Sequence, residues 1–152
     1  MLRSRRLEVV LALEQRREDA ALEQMNRARG QLQAQQQRLD QLHDYQAEYR
    51  NQMRNSQQGV VPVSRLQGWQ AFIAQLEQVI QQQQRQVRTA SEQFDQARQQ
   101  WRDAYERRRG MARHIEACRN QEQREQDLRE QKVQDEDAGR AFARQRRGPG
   151  GS

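Results

Sequence analysis

Stepping alternately by four and three residues from Leu7 lands on Leu11, Glu14, Glu18, Ala21, Met25, Ala28, Leu32, Gln35, Leu39, Leu42, Gln46, Tyr49 and Met53. Most of these are apolar, and the step is that of a heptad seam along one face of a helix. The pattern predicts a helix from about residue 4, with Ser4 as its N-cap, to about residue 54. Gly59 and Pro62 then break the period over 55–63, since neither suits a helix interior. Ser64 followed by Gln67 has capping-box spacing and predicts a second helix from about 64 to about 138. Its seam reads Leu66, Trp69, Ile73, Leu76, Ile80, Gln83, Val87, Ala90, Phe94, Ala97, Trp101, Ala104, Arg108, Met111, Ile115 and Cys118. Beyond Cys118 the same positions carry Glu122, Glu125 and Arg129, and the seam fades.

A short break between two heptad segments favours pairing within one chain, so the expected fold is all-α, a long two-helix antiparallel coiled-coil hairpin. Folding about residue 58 pairs positions whose numbers sum to about 115–117, which leaves the second helix overhanging after about residue 113. Residues 1–147 are read as this single hairpin domain. The closing Gly148-Pro-Gly-Gly-Ser152 is read as a flexible end or a cloning remnant. Gly30 and Gly110 mark either bends or tolerated defects, each costing about 1 kcal/mol relative to Ala.

Composition agrees with a thin seam. Only 34% of the 152 residues are hydrophobic and 32% are charged, with a mean hydropathy of −1.34. Such a chain is either disordered or buries a single line of side chains, and the sustained period selects the second. The net charge of +6 raises the question of nucleic acid, but 27 basic and 21 acidic residues are mixed along the whole chain. Mixed signs fit a solvated helix surface laced with i,i+4 pairs, so no nucleic-acid partner is expected. Cys118 is the single cysteine, which excludes an internal disulfide and fits a reducing compartment. Arg3, Arg5 and Arg6 before an apolar run resemble a secretion signal, but Glu8 interrupts the run and Glu14 and Gln15 follow it. No stretch reaches membrane-spanning length, so no direct membrane insertion is expected.

Candidate chemistry is sparse. The glycines lack the spacing of a phosphate loop, and His43 and His114 lie far apart without carboxylate or thiolate companions. A two-helix rod offers no cavity in which to desolvate a substrate. The expectation is therefore a protein without catalytic residues, cofactor or metal, whose surface does the work.

Two surface features stand out. With Leu42 at d and Ile73 at a, Tyr45, Phe72 and Val79 fall at g positions near the turn. Together with Leu42, Tyr49, Trp69 and Leu76 they make an apolar-aromatic strip, which either shields the seam or docks a partner. At the open end, the expected register gathers Arg3, Arg5 and Arg6 with Arg107, Arg108, Arg109 and Arg113. These arginines are either solvated charge or an electropositive tip that enters an acidic partner or pore.

Two blocks carry a resemblance: Leu42-His-Asp-Tyr-Gln-Ala-Glu-Tyr-Arg50 and, after the Gly-containing turn, Trp69-Gln-Ala-Phe-Ile-Ala-Gln-Leu-Glu77. With the length and hairpin order, they resemble the FliJ family of flagellar type III export proteins. The resemblance implies a component at the cytoplasmic face of the cell membrane, at the flagellar base. It implies a stalk whose open end enters the hexameric export ATPase and promotes its assembly and activity. It further implies partners in the cytoplasmic domain of the export gate protein and in export chaperones. Gate docking would map onto Phe72 and Leu76, with Tyr45, Tyr49 and Leu42 beside them; Arg38, Val79 and Gln83 depart from the family's common choices. The ATPase ring would meet Arg3, Arg5, Arg6, Arg107, Arg108, Arg109 and Arg113. The equivalent stalk of a virulence-type secretion system, a general scaffold and a nucleic-acid-binding coiled coil are the alternatives.

Overall fold

A computed structural model of the chain describes residues 2–56 and 59–147. The expected tail 148–152 and the centre of the turn lie outside the described residues. Two helices account for nearly all of what is described, α1 over Arg3–Ser56 and α2 over Val63–Arg146, with no strand among the described residues. Gln, Arg, Leu, Ala and Glu dominate both helices, all strong helix formers. The chain is an all-α helical hairpin.

Burial follows the seam. Along α1 every partly or fully buried residue from Leu7 to Met53 is a position reached by the four-three step, and Ser4 extends the line by one more step. Along α2 the same holds from Leu66 to Cys118, widened at Phe72, Ser91, Tyr105 and Ala112 and extended to Glu122. The core is therefore a file rather than a cluster. Met25, Ala28, Leu76, Ile80, Ala90, Ala104, Ile115 and Cys118 are buried, yet no large described side chain is sealed completely. Ala at several seam positions lets the helices approach closely, and larger residues between them fill the gaps.

The contacts divide into two compact units. Residues 17–104 form one. Within it Gln83 donates through Nε2 to the Gln35 carbonyl at 2.9 Å and to Gln35 Oε1 at 2.7 Å, a polar layer set in the seam. Arg29 lies over the Phe94 ring at 5.5 Å, and Tyr45 and Tyr49 meet Phe72. The falling order of partners along α2 as α1 is ascended shows that the pair runs antiparallel here.

The second unit contains residues up to 16 and from 105. It too is antiparallel, with Ser4 on Glu122 and Glu8 on Arg119. The fixed sum of partner numbers fails here. Under it Ser4 would face about residue 112, and it meets Glu122 instead, a displacement of about 15 Å along α2 at 1.5 Å per residue. Pairing thus runs past 113. Only beyond Glu122 is every described residue of α2 exposed.

Both helices start within a residue of the expectation, but neither is capped as expected. α1 begins at Arg3, so Ser4 lies inside the helix, and its free amide is met by Glu122 rather than by a cap of its own. α2 begins at Val63, and the Pro62 carbonyl accepts from the Arg65 and Leu66 amides. Pro62, with its fixed φ, stands where Ser64 was expected to start the turn. At Gly30 and Gly110 an added Cβ would meet open space and φ is ordinary. No helix of the described residues is long and apolar enough to cross a membrane.

Candidate docking surfaces

In the unit of residues 17–104, three aromatic rings converge. Tyr45 and Tyr49 are one turn apart on α1 and both face Phe72 of α2. The Tyr45 ring meets Phe72 edge-on, with centroids 6.1 Å apart and planes at 71°. Tyr49 packs closer, at 4.4 Å and 47°. Such pairs add about 0.5–1.5 kcal/mol beyond burial, so the rings brace one another. Tyr45 nevertheless remains 50% exposed and Val79 42% exposed, while Phe72, Tyr49 and Leu42 are half-buried. This is the apolar-aromatic strip read from the sequence, with one correction. Leu76 is 7% exposed, so it belongs to the seam and presents almost nothing to a partner. The free surface is carried by Tyr45 and Val79, with the rims of Phe72 and Tyr49.

Gln83, a seam position in the sequence, turns inward to Gln35. Its polarity serves the seam.

In the other unit the expected arginine cluster does not form. Arg3, Arg5 and Arg6 sit level with Arg119 and Glu122, whereas Arg107, Arg108, Arg109 and Arg113 lie earlier on α2. From Arg108 to Glu122 is about 14 residues, about 21 Å of helix. Arg107, Arg108 and Arg109 are thus displaced along the axis from Arg3, Arg5 and Arg6, while Arg113 stands six residues, about 9 Å, before Arg119. Arg108 packs over the Tyr105 ring at 5.2 Å and is half-buried rather than splayed into solvent.

A carboxylate clasp takes the cluster's place. Ser4 donates its amide to Glu122 Oε1 at 3.0 Å and its hydroxyl to Oε2 at 2.7 Å. The amides of a helix's first turn have no partner within the helix and carry partial positive charge, so an anion from the opposite helix is well placed. The Ser4 hydroxyl and amide, aided by the Arg119 charge, hold the Glu122 carboxyl below the ordinary glutamate range, against a smaller opposing effect of burial. Arg119 also pairs with Glu8. The signal was present in the sequence: Ser4 precedes Leu7 by one seam step, and Glu122 follows Cys118 by one.

The His114 Nε2 and Cys118 Sγ lie 4.0 Å apart, one turn apart on α2. No cluster of His, Cys, Asp and Glu able to hold a metal occurs among the described residues.

The class these observations define is an all-α, coiled-coil-like hairpin marked by an aromatic strip beside the turn. Residues 3–147 match the family model described as Flagellar FliJ protein. The chain belongs to the FliJ family, and is thereby a component of flagellar type III protein export. No curated protein and no solved structure matches it.

Proposed function

We propose that this chain is a non-enzymatic stalk of the flagellar export apparatus, joining the hexameric export ATPase to the cytoplasmic domain of the export gate protein. In this reading it promotes ring assembly and activity, receives export chaperones, and works at the cytoplasmic face of the membrane. The observation that carries the reading is the ring cluster of Tyr45, Tyr49 and Phe72 with exposed Val79 beside it. It is an apolar surface braced by its own contacts, of the kind that anchors protein interfaces. Family membership supplies the context.

The gate arm is tested by Tyr45→Ala with Val79→Ser, both exposed. Binding to the purified gate domain should weaken at least about tenfold, or 1.4 kcal/mol. The helical circular dichroism at 25 °C should be unchanged, with stability falling only by the roughly 0.5–2 kcal/mol of the lost ring contact. Unchanged binding would remove the strip from gate docking. Leu76 is unsuitable for this test because its loss would disturb the seam. The ATPase arm is tested by a chain ending at Gln126, which keeps the Ser4 and Glu8 contacts. Reduced stimulation of the ATPase by this shortened chain is expected, and full stimulation would exclude the exposed end of α2 from the mechanism.

A further inference from the structure

The start of α1 has a second marked face. Between residues 3 and 16, every acidic or uncharged polar residue lies on or beside the seam: Ser4 and Glu8 are bonded to α2, Glu14 is on the seam, and Gln15 flanks it one heptad after Glu8. Everything on the opposite side is Leu, Val, Ala or Arg. Along the middle of that side run Arg6, Val9, Leu13 and Arg16, spaced by the same alternation of three and four as the buried seam, whereas Leu2 precedes α1 and borders Cys118, Gln121 and Glu122 of α2. Val9 is 69% exposed and Leu13 46%. α1 thus carries two heptad lines on opposite faces, and only one is covered by α2.

We infer that this outer line, Val9 and Leu13 between Arg6 and Arg16, with Arg5 at its edge, is a docking face for an acidic amphipathic helix of a partner protein. Three observations select that occupant. The four-three spacing is what a second helix packs against, since knobs at these steps fit the holes of a facing helix. The charge on the line and its edge is of one sign, so the complementary helix carries Glu or Asp where it passes Arg5, Arg6 and Arg16. A second copy of this face is disfavoured, because pairing it with itself would set arginine against arginine. The inference places Arg5 and Arg6 along a helix flank rather than at a tip. It stands on this face alone and does not depend on the export reading; ATPase stimulation and the binding described next can fail separately.

The probe is a synthetic three-heptad helix with Leu at a and d and Glu at e and g, whose glutamates prevent it pairing with itself. Fluorescence anisotropy of the labelled peptide with the full chain should give a Kd on the order of 10 μM or tighter at low salt. A scrambled peptide of the same composition and a version with Lys for Glu should each bind at least about tenfold more weakly. Val9→Ser with Leu13→Ser, both at exposed positions, should abolish binding with an unchanged helical circular dichroism melt. Arg6→Glu with Arg16→Glu should exchange the preference, losing the Glu peptide and gaining the Lys one. Equal binding of the scrambled peptide would overturn the inference by reducing it to bulk charge. So would binding that survives Val9→Ser with Leu13→Ser. It is likewise overturned if phosphatidylglycerol vesicles, and not the peptide, bind through Val9 and Leu13, or if sedimentation shows the face joining two copies of the chain.

Discussion

Glu122 is a polar residue at a seam position, and its two oxygens are divided between the amide and the hydroxyl of Ser4. Because its folded carboxyl titrates below the ordinary range, the clasp's contribution to stability is complete above that range. It is lost as pH falls through the lowered folded value, when a proton on Glu122 removes an acceptor. The Ser4 amide shift followed by NMR should therefore titrate with a midpoint below that of an ordinary glutamate, and Glu122→Gln should flatten the curve. Leu76 makes a contrasting case. At 7% exposure its truncation to Ala removes seam contacts outright and should cost about 2–3 kcal/mol in chemical denaturation. Tyr45→Ala, by comparison, should shift stability by about 0.5 kcal/mol or less before its aromatic contact is counted.

Along the helices, what the sequence made legible was the face and what it left open was the axial register. Alternating steps picked out the buried line of α1 residue for residue, because a heptad pattern specifies which side of a helix is dry. It does not say which turn meets which. That is decided by cross-contacts such as Gln35 with Gln83, Phe72 with Tyr49, and Ser4 with Glu122, whose residue types are common on any helix surface. The aromatic strip was legible because it lies beside the turn, where little error has accumulated. The arginine cluster was not, because it depended on register at the far end. The Gln35–Gln83 layer offers a test of this view. Gln83→Leu alone should lower stability by about 1 kcal/mol by leaving Gln35 Oε1 half-buried without its donor. Replacing both with Leu should raise the melting temperature while allowing more than one register, visible as added or broadened NMR resonances. The exposed end of α2 behaves differently again. Its support is local, from pairs such as Gln123 with Asp127, Gln126 with Glu130 and Arg140 with Glu136, each worth a few tenths of a kcal/mol. Its amides should exchange at least about a hundredfold faster than that of Ile80 in hydrogen-exchange mass spectrometry.

For the molecule taken whole, stability comes from a narrow file of side chains and two good helix-forming sequences, with no large described residue fully enclosed. Unfolding exposes less apolar surface per residue than in a globular domain. Calorimetry should accordingly give a heat-capacity change below the roughly 12–15 cal/mol/K per residue usual for globular proteins. The low hydrophobic content that first suggested a choice between disorder and a single seam is thus the thermodynamic signature of the fold. Family membership adds the setting, flagellar export, which the charge pattern alone could not distinguish from other uses of a helical hairpin.

The Ser4–Glu122 clasp has a mechanical consequence. Its two hydrogen bonds join the same two residues and would bear load in parallel, so neither yields before the other. Drawing residue 2 away from α2 in an optical trap should meet one discrete rupture at the clasp. After it the apolar file would peel turn by turn at lower force, and Glu122→Gln should lower that first peak while leaving the later trace unaltered.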